Sequence, residues 1–383
     1  HSGLDVQLCG DAHLSNFGIF LSPERRLVFD VNDFDETHPG PFEWDVKRLA
    51  ASIVVASQAN GFTEKEVRRA ARKSASSYRK TIVKSASTSP TDCWYDSVNA
   101  DDVLSDLAGR LDTAATKETQ RQLDKARHRD SSQALAKLCR TDLTGVHIKS
   151  DPPLLVPAAE IITDKSQQEL REIFTEQFAN YRKTLPPHIA VLFDQFQFIE
   201  AARKVVGVGS VGTRCWIALF SDKGGTHPLF LQLKEAQQSV LAPYVKSNVP
   251  EHRGHRVVFG QQLMQASSDI FLGWFTAPNF QGDETHFYVR QLRDGKGSAV
   301  IEAMPSASMD YYAELCGRVL AQAHARTDAR TEIADLVGDL GKDFDNAIAD
   351  FSVAYSALNL DDHARLVEAI SAGEMSAAPL EAS

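Results

Sequence analysis

Two blocks of sequence decide the fold of this chain: CGDAHLSNFG at residues 9–18 and DVNDFDE at residues 30–36. Strand-like sequence flanks the first block, with VQLC before it and FGIFL after it, and LVFDV leads into the second. Asp11 and Asn16 therefore lie in a loop between two strands. A group of acidic residues follows after one hairpin, within 30–36.

The spacing of Asp11 and Asn16 suits phosphoryl transfer. The carboxylate can accept a hydroxyl proton while the amide oxygen holds a magnesium ion, and a second carboxylate after the hairpin completes the metal site. The structural alternative is a plain turn, because Asp and Asn favour turns. At least two of the four acidic residues in the second block are expected to be solvated or to cap the next segment: Asp30, Asp33, Asp35 and Glu36.

GDAHLSN resembles the GDxHxxN catalytic loop of the aminoglycoside-phosphotransferase branch of the protein-kinase-like superfamily. NDFDE resembles the D-F-G-equivalent stretch of that branch, and EWDVKRLA its next helix. In the family pattern the metal-binding aspartate precedes the helix aspartate by about a dozen residues, which selects Asp33 over Asp30. The resemblance implies that Asp11 is the catalytic base, that Asn16 and Asp33 bind magnesium, and that Asp45 holds the loop.

The similarity extends beyond these motifs. The whole run resembles a bacterial family of uncharacterised proteins grouped with these kinases. It continues through DPPLLVP, KVVGVGSVGTR, LCGRVLAQAHAR and AYSALNLDDHARL. This second resemblance implies a fold and a site but no substrate.

A glycine-rich segment lies far downstream of the catalytic loop. It has the GxGxxG spacing and is flanked by strand-like RKVV and TRCWIALF, whereas a Rossmann loop would open a helix. A glycine turn is the plainer alternative. A β-hairpin that covers the phosphates of ATP fits the flanks better, and it would use Gly207, Gly209, Ser210 and Gly212.

A candidate phosphate-binding lysine follows on PLFLQLKEA at 228–236. In a strand, three leucines share one face, so Lys234 leaves the apolar stripe and can point into a cleft. A solvated edge lysine is the alternative. In kinases a helix glutamate pairs with this lysine, and Glu251 is the better candidate because Glu235 is adjacent in sequence.

In this chain the catalytic loop precedes the glycine-rich segment and Lys234, whereas in a kinase it follows them. The fold class predicted is α+β, a two-lobed, circularly permuted kinase-like fold with a helical catalytic lobe and a small antiparallel-sheet nucleotide lobe. We assign 1–194 to the catalytic loop and helical part, 195–300 to the sheet with the glycine-rich loop, and 301–383 to helices that return to the first lobe. CGRVLAQAHAR resembles the helix before a kinase catalytic loop and should end near Asp11. Permutation of this kind is tolerated because chain termini often lie close together.

Apolar spacing gives the remaining elements. We predict a helix over 43–60, charged helices from 63 to about 140 with breaks at 89–92 and near Asp130, and a helix over 165–186. A region of antiparallel strands begins near 195, and a helix near 250–266 interrupts it. From 309 onward the sequence predicts helices, including a pair across 343–371.

Composition limits the class of protein. The 383 residues carry a formal charge of −10, which argues against nucleic acid as a partner. Five scattered cysteines without CxxC favour neither disulfides nor zinc and fit the cytoplasm. No apolar run approaches the roughly 20 residues that span a bilayer, so no membrane association is expected. The chain opens on His1 in dense motif sequence, and we expect a segment to precede it. The oligomeric state is left open.

The sequence therefore predicts an ATP- and Mg²⁺-dependent phosphotransferase acting on a small hydroxylated molecule. One alternative is a metallophosphoesterase, since DAH at 11–13 matches a D-x-H block, but the chain contains no GNH block. A kinase-like scaffold that binds nucleotide without catalysis is a second alternative. Transfer of a nucleotidyl group on the same fold is a third.

Overall fold

The computed structural model describes residues 2–110, 113–127, 131–142, 145–205, 214–278, 283–292 and 295–375. The first part of the chain alternates short strands and helices. Its elements are β1 (Asp5–Leu8), β2 (Phe17–Leu21), β3 (Leu27–Val31), β4 (His38–Pro41), α1 (Phe42–Ala59), α2 (Glu64–Ala86), α3 (Pro90–Tyr95), β5 (Val98–Asn99), α4 (Ala100–Arg110), α5 (Thr113–Arg127), α6 (Ser131–Leu138), β6 (Cys139–Asp142) and β7 (Gly145–Ile148).

The second part contains the main sheet and the last helices. Its elements are β8 (Leu155–Pro157), α7 (Ala158–Ile161), α8 (Gln167–Arg182), α9 (Pro187–Phe193), β9 (Phe196–Lys204), β10 (Cys215–Asp222), β11 (Pro228–Glu235), α10 (Arg253–Met264), β12 (Gly273–Pro278), β13 (Glu284–Gln291), α11 (Ser306–His324), α12 (Arg330–Leu340) and α13 (Lys342–Ser371). The predicted mixture of helices and antiparallel sheets is confirmed.

The main sheet has six antiparallel strands in the order β12-β13-β11-β10-β9-β8. The predicted alternation of β11 is confirmed. Its three leucines pack in one apolar cluster with Trp216 and Phe220, whereas Phe230 packs on the other side with Ile217 and Leu219. Lys234 follows Phe230 and Gln232 on that second side, so the strand directs the lysine away from the leucine stripe.

The helical core surrounds the two sequence blocks that decide the fold. Helix α11 packs along α2, and α1 and α13 lie against the same group. Two short antiparallel pairs, β1 with β4 and β2 with β3, position the first block between β1 and β2. The core cluster runs from Val6 and Leu8 through Val46 and Ile53 to residues of α11.

Helices α8 and α9 pack on the main sheet. Their apolar residues Phe174, Phe178 and Ile189 belong to the same cluster as Trp216 of β10, and β8 is the edge strand of that sheet. Residues 155–193, which the sequence assigned to the catalytic part, therefore lie against the sheet that carries Lys234.

Three local predictions differ from the structure. The pair of helices across 343–371 is wrong: α13 is one helix, because no Gly or Pro interrupts its 30 residues and the chain turns earlier, at Gly341 with φ of 54°. The break predicted at 89–92 is present but lies slightly earlier, at 87–89, because α2 ends at Ala86 and Ser89 caps α3 by accepting a hydrogen bond from Asp92 N. Strands β4, β5, β6, β7 and β12 were not predicted. The break near Asp130 lies outside the described residues.

Among the helices that the structure describes, none is both long enough and apolar enough to cross a bilayer.

We predict that Gly317→Ala destabilises the protein, because a Cβ at Gly317 would lie 2.2 Å from the Ser74 carbonyl oxygen, where α11 and α2 meet. Overpacking of this kind costs about 1–3 kcal/mol, measurable as a lower free energy of unfolding in urea. Gly338→Ala in α12 is the matched control. Its Cβ would meet only Val83 at 3.5 Å, so we expect unchanged stability or a gain of up to about 1 kcal/mol from helix propensity. Equal stability of both variants would contradict the close approach of the two helices.

Candidate active site

The loop between β1 and β2 is fixed by hydrogen bonds to its backbone. Asp45 of α1 accepts hydrogen bonds from Cys9 N at 2.8 Å and from Gly10 N at 3.2 Å. Gly10 has φ of 87°, and a Cβ there would lie 2.2 Å from the Glu36 carbonyl oxygen, so no other residue fits without a shift. The prediction that Asp45 holds the loop is confirmed.

Helix α11 ends next to Asp45. The buried His324, its last residue, lies with Nε2 at 3.3 Å from Asp45 Oδ2, and its Nδ1 is 2.8 Å from the Tyr78 hydroxyl. The predicted approach of the CGRVLAQAHAR helix to the start of the loop is therefore confirmed, with Asp45 as the link between them.

The two predicted loop residues lie side by side. Asn16 Nδ2 donates a hydrogen bond of 2.6 Å to the Asp11 carbonyl oxygen. This bond uses the nitrogen of the carboxamide and directs its oxygen elsewhere. Asp11 keeps 44% of its side chain exposed and pairs with Arg48 Nε at 2.8 Å, with His13 Nε2 at 3.7 Å. A half-exposed carboxylate of this kind can meet a substrate hydroxyl.

The second block faces Lys234, which lies about 200 residues further along the chain. Lys234 Nζ lies 3.9 Å from Asp33 Oδ2 and donates a short hydrogen bond to Asp35 Oδ2. The Tyr288 hydroxyl donates to the other oxygen of Asp35 at 2.5 Å. The structure thus brings together the aspartate predicted to bind metal and the lysine predicted to bind phosphate.

Asp33, Asp35, Lys234 and Tyr288 form a charged cluster, and these contacts set the charge states of its members. Burial alone would raise the pKa of Asp33, but the positive charges of Lys234 and Arg290 lower it below its ordinary value. Burial alone would lower the pKa of Lys234, but Tyr288, Asp35 and Asp33 raise it. Lysine and aspartate are therefore both charged at neutral pH.

Two further basic side chains, Arg290 and Lys296, border the cluster. Arg290 of β13 donates from Nε to Gln232 Oε1 at 2.9 Å and from Nη1 to the Asn32 carbonyl oxygen at 3.2 Å. Burial, followed by the nearby charge of Arg290, lowers the pKa of Lys296 to about 7, although Asp33 opposes the shift. The acidic block, residues 30–36, therefore lies next to side chains that are mainly basic.

The partner predicted for Lys234 differs from the one observed. Glu251 is exposed in a bend before α10. The carboxylates of Asp35 and Asp33 pair with Lys234 instead. Glu235 lies 3.7 Å from Arg214. Helix α10 contributes Arg256, whose Nη2 donates to the Asp35 and Gln237 carbonyl oxygens at 2.8 and 2.9 Å.

The glycine-rich segment lies outside the described residues. Gly207, Gly209, Ser210 and Gly212 fall in 206–213, and only their flanks are described. Those flanks are the antiparallel strands β9 and β10, as predicted. Cys215, the first residue of β10, pairs with Lys234 in the sheet register.

Several residues of the site were not predicted: Arg48, Arg256, Tyr288, Arg290 and Lys296. A signal for two of them was present, because Tyr288 and Arg290 alternate along HFYVRQ as Gln232 and Lys234 do along LFLQLK. The register pairs Lys234 with Tyr288 and Gln232 with Arg290. Without that register, the two patterns cannot be matched.

The two remaining acidic residues have structural contacts. Glu36 Oε2 accepts a hydrogen bond from Val240 N at 2.8 Å. Asp30 is buried and accepts from Val31 N at 2.8 Å and from Ala266 N at 3.2 Å. Burial raises the pKa of Asp30 to about 6, against the opposing effects of Arg326 and the two backbone N–H groups. Within the described residues, no group of three or more His, Cys, Asp or Glu side chains could by itself hold a metal ion.

We predict that Asp30→Asn changes how stability depends on pH. Between its ordinary pKa of 3.8 and the folded value of about 6, Asp30 binds more protons in the folded state, so its contribution to stability falls as pH rises through this window. Urea unfolding at pH 4 and pH 7 should show the variant gaining about 2–3 kcal/mol relative to wild type between the two pH values. Parallel pH profiles would contradict the raised pKa.

Comparison with known proteins identifies a family. Residues 1–369 match a family described as "Uncharacterized protein conserved in bacteria (DUF2252)". No curated protein and no solved structure matches the chain. Because the match spans almost the whole sequence, the chain belongs to this bacterial family. Its membership in the kinase-like superfamily stays a prediction.

Proposed function

We propose that this member of the family is an ATP- and Mg²⁺-dependent phosphotransferase with a circularly permuted kinase-like fold. The observation that carries the proposal is the contact of Lys234 with Asp33 and Asp35. The lysine and the acidic block come from distant segments, and each was identified separately from the sequence. The acidic block is joined to the loop by Asn32 N, which donates a hydrogen bond of 2.8 Å to the Asn16 carbonyl oxygen. A base, metal-binding oxygens and a phosphate-binding lysine in one region are what phosphoryl transfer requires.

The acceptor side of the reaction is assigned to Asp11. Its carboxylate is half exposed and held by Arg48, so it can orient a substrate hydroxyl and accept its proton as the oxygen attacks phosphorus. The anchored loop restricts movement of the carboxylate, because Asp45 fixes the two residues before it. General base catalysis of this kind contributes typically about 10²–10⁴-fold to the rate.

The donor atoms fit a magnesium ion that is held together with a nucleotide. Asn16 offers its carboxamide oxygen, since its nitrogen is bonded to the Asp11 carbonyl, and Asp33 offers an ionised carboxylate. Magnesium characteristically takes one or two carboxylates and completes its shell with substrate phosphates and water. When bound, the ion would neutralise the phosphate charges. The small number of protein ligands therefore agrees with a metal that arrives with ATP.

The nucleotide side is assigned to Lys234, with Arg290 behind it. In protein kinases a glycine-rich loop covers the phosphates, and the lysine that pairs with them lies on the third strand. Here Lys234 lies on β11, the third of the consecutive strands β9, β10 and β11, and the glycine segment joins the first two. This order supports the proposal. A phosphate group would share or replace the carboxylate partners of the lysine.

The departures from the kinase pattern concern the helix and the chain order. Helix α10 follows β11, where a kinase places the helix with its glutamate, but α10 directs Arg256 toward this region and Asp35 takes the lysine. Helix α11 follows the sheet and ends at Asp45, beside the loop near the start of the chain. This placement supports a permutation that keeps the spatial arrangement of the two lobes. We propose a small hydroxylated molecule as the acceptor.

We predict that Lys234→Met lowers the affinity for Mg²⁺-ATP by about 10–100-fold, because a charge-assisted hydrogen bond to phosphate is worth about 1.5–3 kcal/mol. Displacement of a fluorescent ATP analogue gives the affinity. Lys223→Met, at an exposed lysine after β10, is the control and should bind as wild type does. A well-folded Lys234→Met protein with unchanged affinity would remove the nucleotide role of this lysine.

We predict that Asp11→Asn separates binding from turnover. ATP affinity should remain within about threefold of wild type, whereas the slow transfer of the γ-phosphoryl group to water should fall by about 10²–10⁴-fold, followed as ADP release. Asp5→Asn, at an exposed position on β1, should retain wild-type hydrolysis. If wild type binds Mg²⁺-ATP but Asp11→Asn hydrolyses it equally fast, Asp11 is not the base. Binding without any hydrolysis by wild type would favour the scaffold alternative.

A further inference from the structure

A cavity of about 570 Å³ lies below the β2–β3 hairpin, separate from the charged cluster. Helices α4, α5 and α11 form its walls together with the segment 297–305. This segment is attached to β2 through Ile19 and Gly297, whose backbones exchange hydrogen bonds of 2.8 and 2.9 Å. None of the residues assigned to phosphoryl transfer lines this cavity.

The interior of the cavity is apolar. Six of its lining residues show this: Ile19, Phe29, Val103, Leu107, Leu123 and Met304. Phe29 packs edge-on against Tyr312 with ring centroids 5.9 Å apart, and Tyr311 adds a second aromatic wall. The surface is suited to a ring-shaped apolar body.

The polar atoms of the two tyrosines already have partners. The Tyr311 hydroxyl donates to the Val103 carbonyl oxygen at 3.2 Å, and the Tyr312 hydroxyl donates to the carbonyl oxygens of Leu14 and Phe17 at 2.8 and 3.1 Å. At the edge of the cavity, Arg121 and Glu118 pair with each other at 2.9 Å. These groups therefore do not require a polar or charged ligand.

Volume and chemistry together define the ligand class. Small-molecule sites typically enclose about 300–1,000 Å³ and are lined mainly by apolar and aromatic side chains. Apolar cavities hold water poorly and take up ring compounds such as benzene. We propose that this cavity binds a neutral small molecule with an apolar, ring-containing body.

The position of Tyr312 connects this cavity to the catalytic loop. Its hydroxyl holds the carbonyl groups of Leu14 and Phe17, which lie on either side of Asn16. A ligand in the cavity contacts the ring that supports this turn. The binding site itself does not depend on the proposed phosphotransferase activity, because its lining and the charged cluster are different residues.

The test uses N-phenyl-1-naphthylamine, a neutral two-part aromatic molecule whose fluorescence rises in apolar surroundings. Titration of the full chain without Mg²⁺ or nucleotide should give saturable binding with one molecule per chain. Two substitutions fill the cavity from different lining elements: Ala299→Phe in the 297–305 segment and Val103→Trp in α4. We expect at least a tenfold loss of affinity in one or both.

The control adds an aromatic side chain elsewhere. Val191→Phe, at a residue of α9 that is 62% exposed, should bind the probe as wild type does. Circular dichroism and urea unfolding verify that each variant is folded. Non-saturable binding to wild type, or wild-type affinity in both folded cavity variants, would overturn the proposal. Because no nucleotide is present, failure here leaves the phosphotransferase proposal intact, and loss of ATP binding leaves this site intact.

Discussion

The arrangement of this protein depends on the ion pair of Lys234 with Asp35 and Asp33. The lysine is 8% exposed, and a buried ammonium is costly unless a carboxylate accompanies it. The pairing therefore ties the main sheet to the acidic block in the first forty residues. The Tyr288 hydroxyl donates a hydrogen bond to the Asp35 carboxylate. Arg256 of α10 donates hydrogen bonds to the carbonyl oxygens of Asp35 and Gln237. Loss of the acidic partners would leave a buried charge without compensation, so the sheet and the loop region depend on each other.

A second constraint acts on the backbone of the loop. Asp45 accepts hydrogen bonds from the N–H groups of Cys9 and Gly10 and lies against His324 at the end of α11. One carboxylate thus joins the start of the chain, the first helix and the end of α11, 279 residues further along the chain. Groups that are fixed in this way need little reorganisation when substrate binds, which is an advantage for a reaction that relies on positioning.

The sequence was informative where the signal is local. The loop blocks, the alternation along β11 and helices α1, α8 and α10 follow from spacing and side-chain type. Three-dimensional partners were harder, because packing selects among residues of equal chemistry. Glu251 and Asp35 are both carboxylates, and only the fold places Asp35 beside Lys234. Arg290 and Tyr288 became recognisable once the register between β11 and β13 was known. The extent of α13 was misjudged because polar residues in its exposed second half resemble a break without requiring one.

The central claim is that Lys234 and the acidic block form a site for ATP and magnesium. Its most direct test is calorimetric titration of ATP into wild type and Asp33→Ala, each with Mg²⁺ and with excess chelator, with Asp335→Ala on α12 as an exposed control. We expect wild type and the control to bind ATP only with Mg²⁺, and Asp33→Ala to bind it at least tenfold more weakly. Binding by wild type that is indifferent to Mg²⁺ and unchanged in Asp33→Ala, or no binding at all by the folded protein, would contradict the claim.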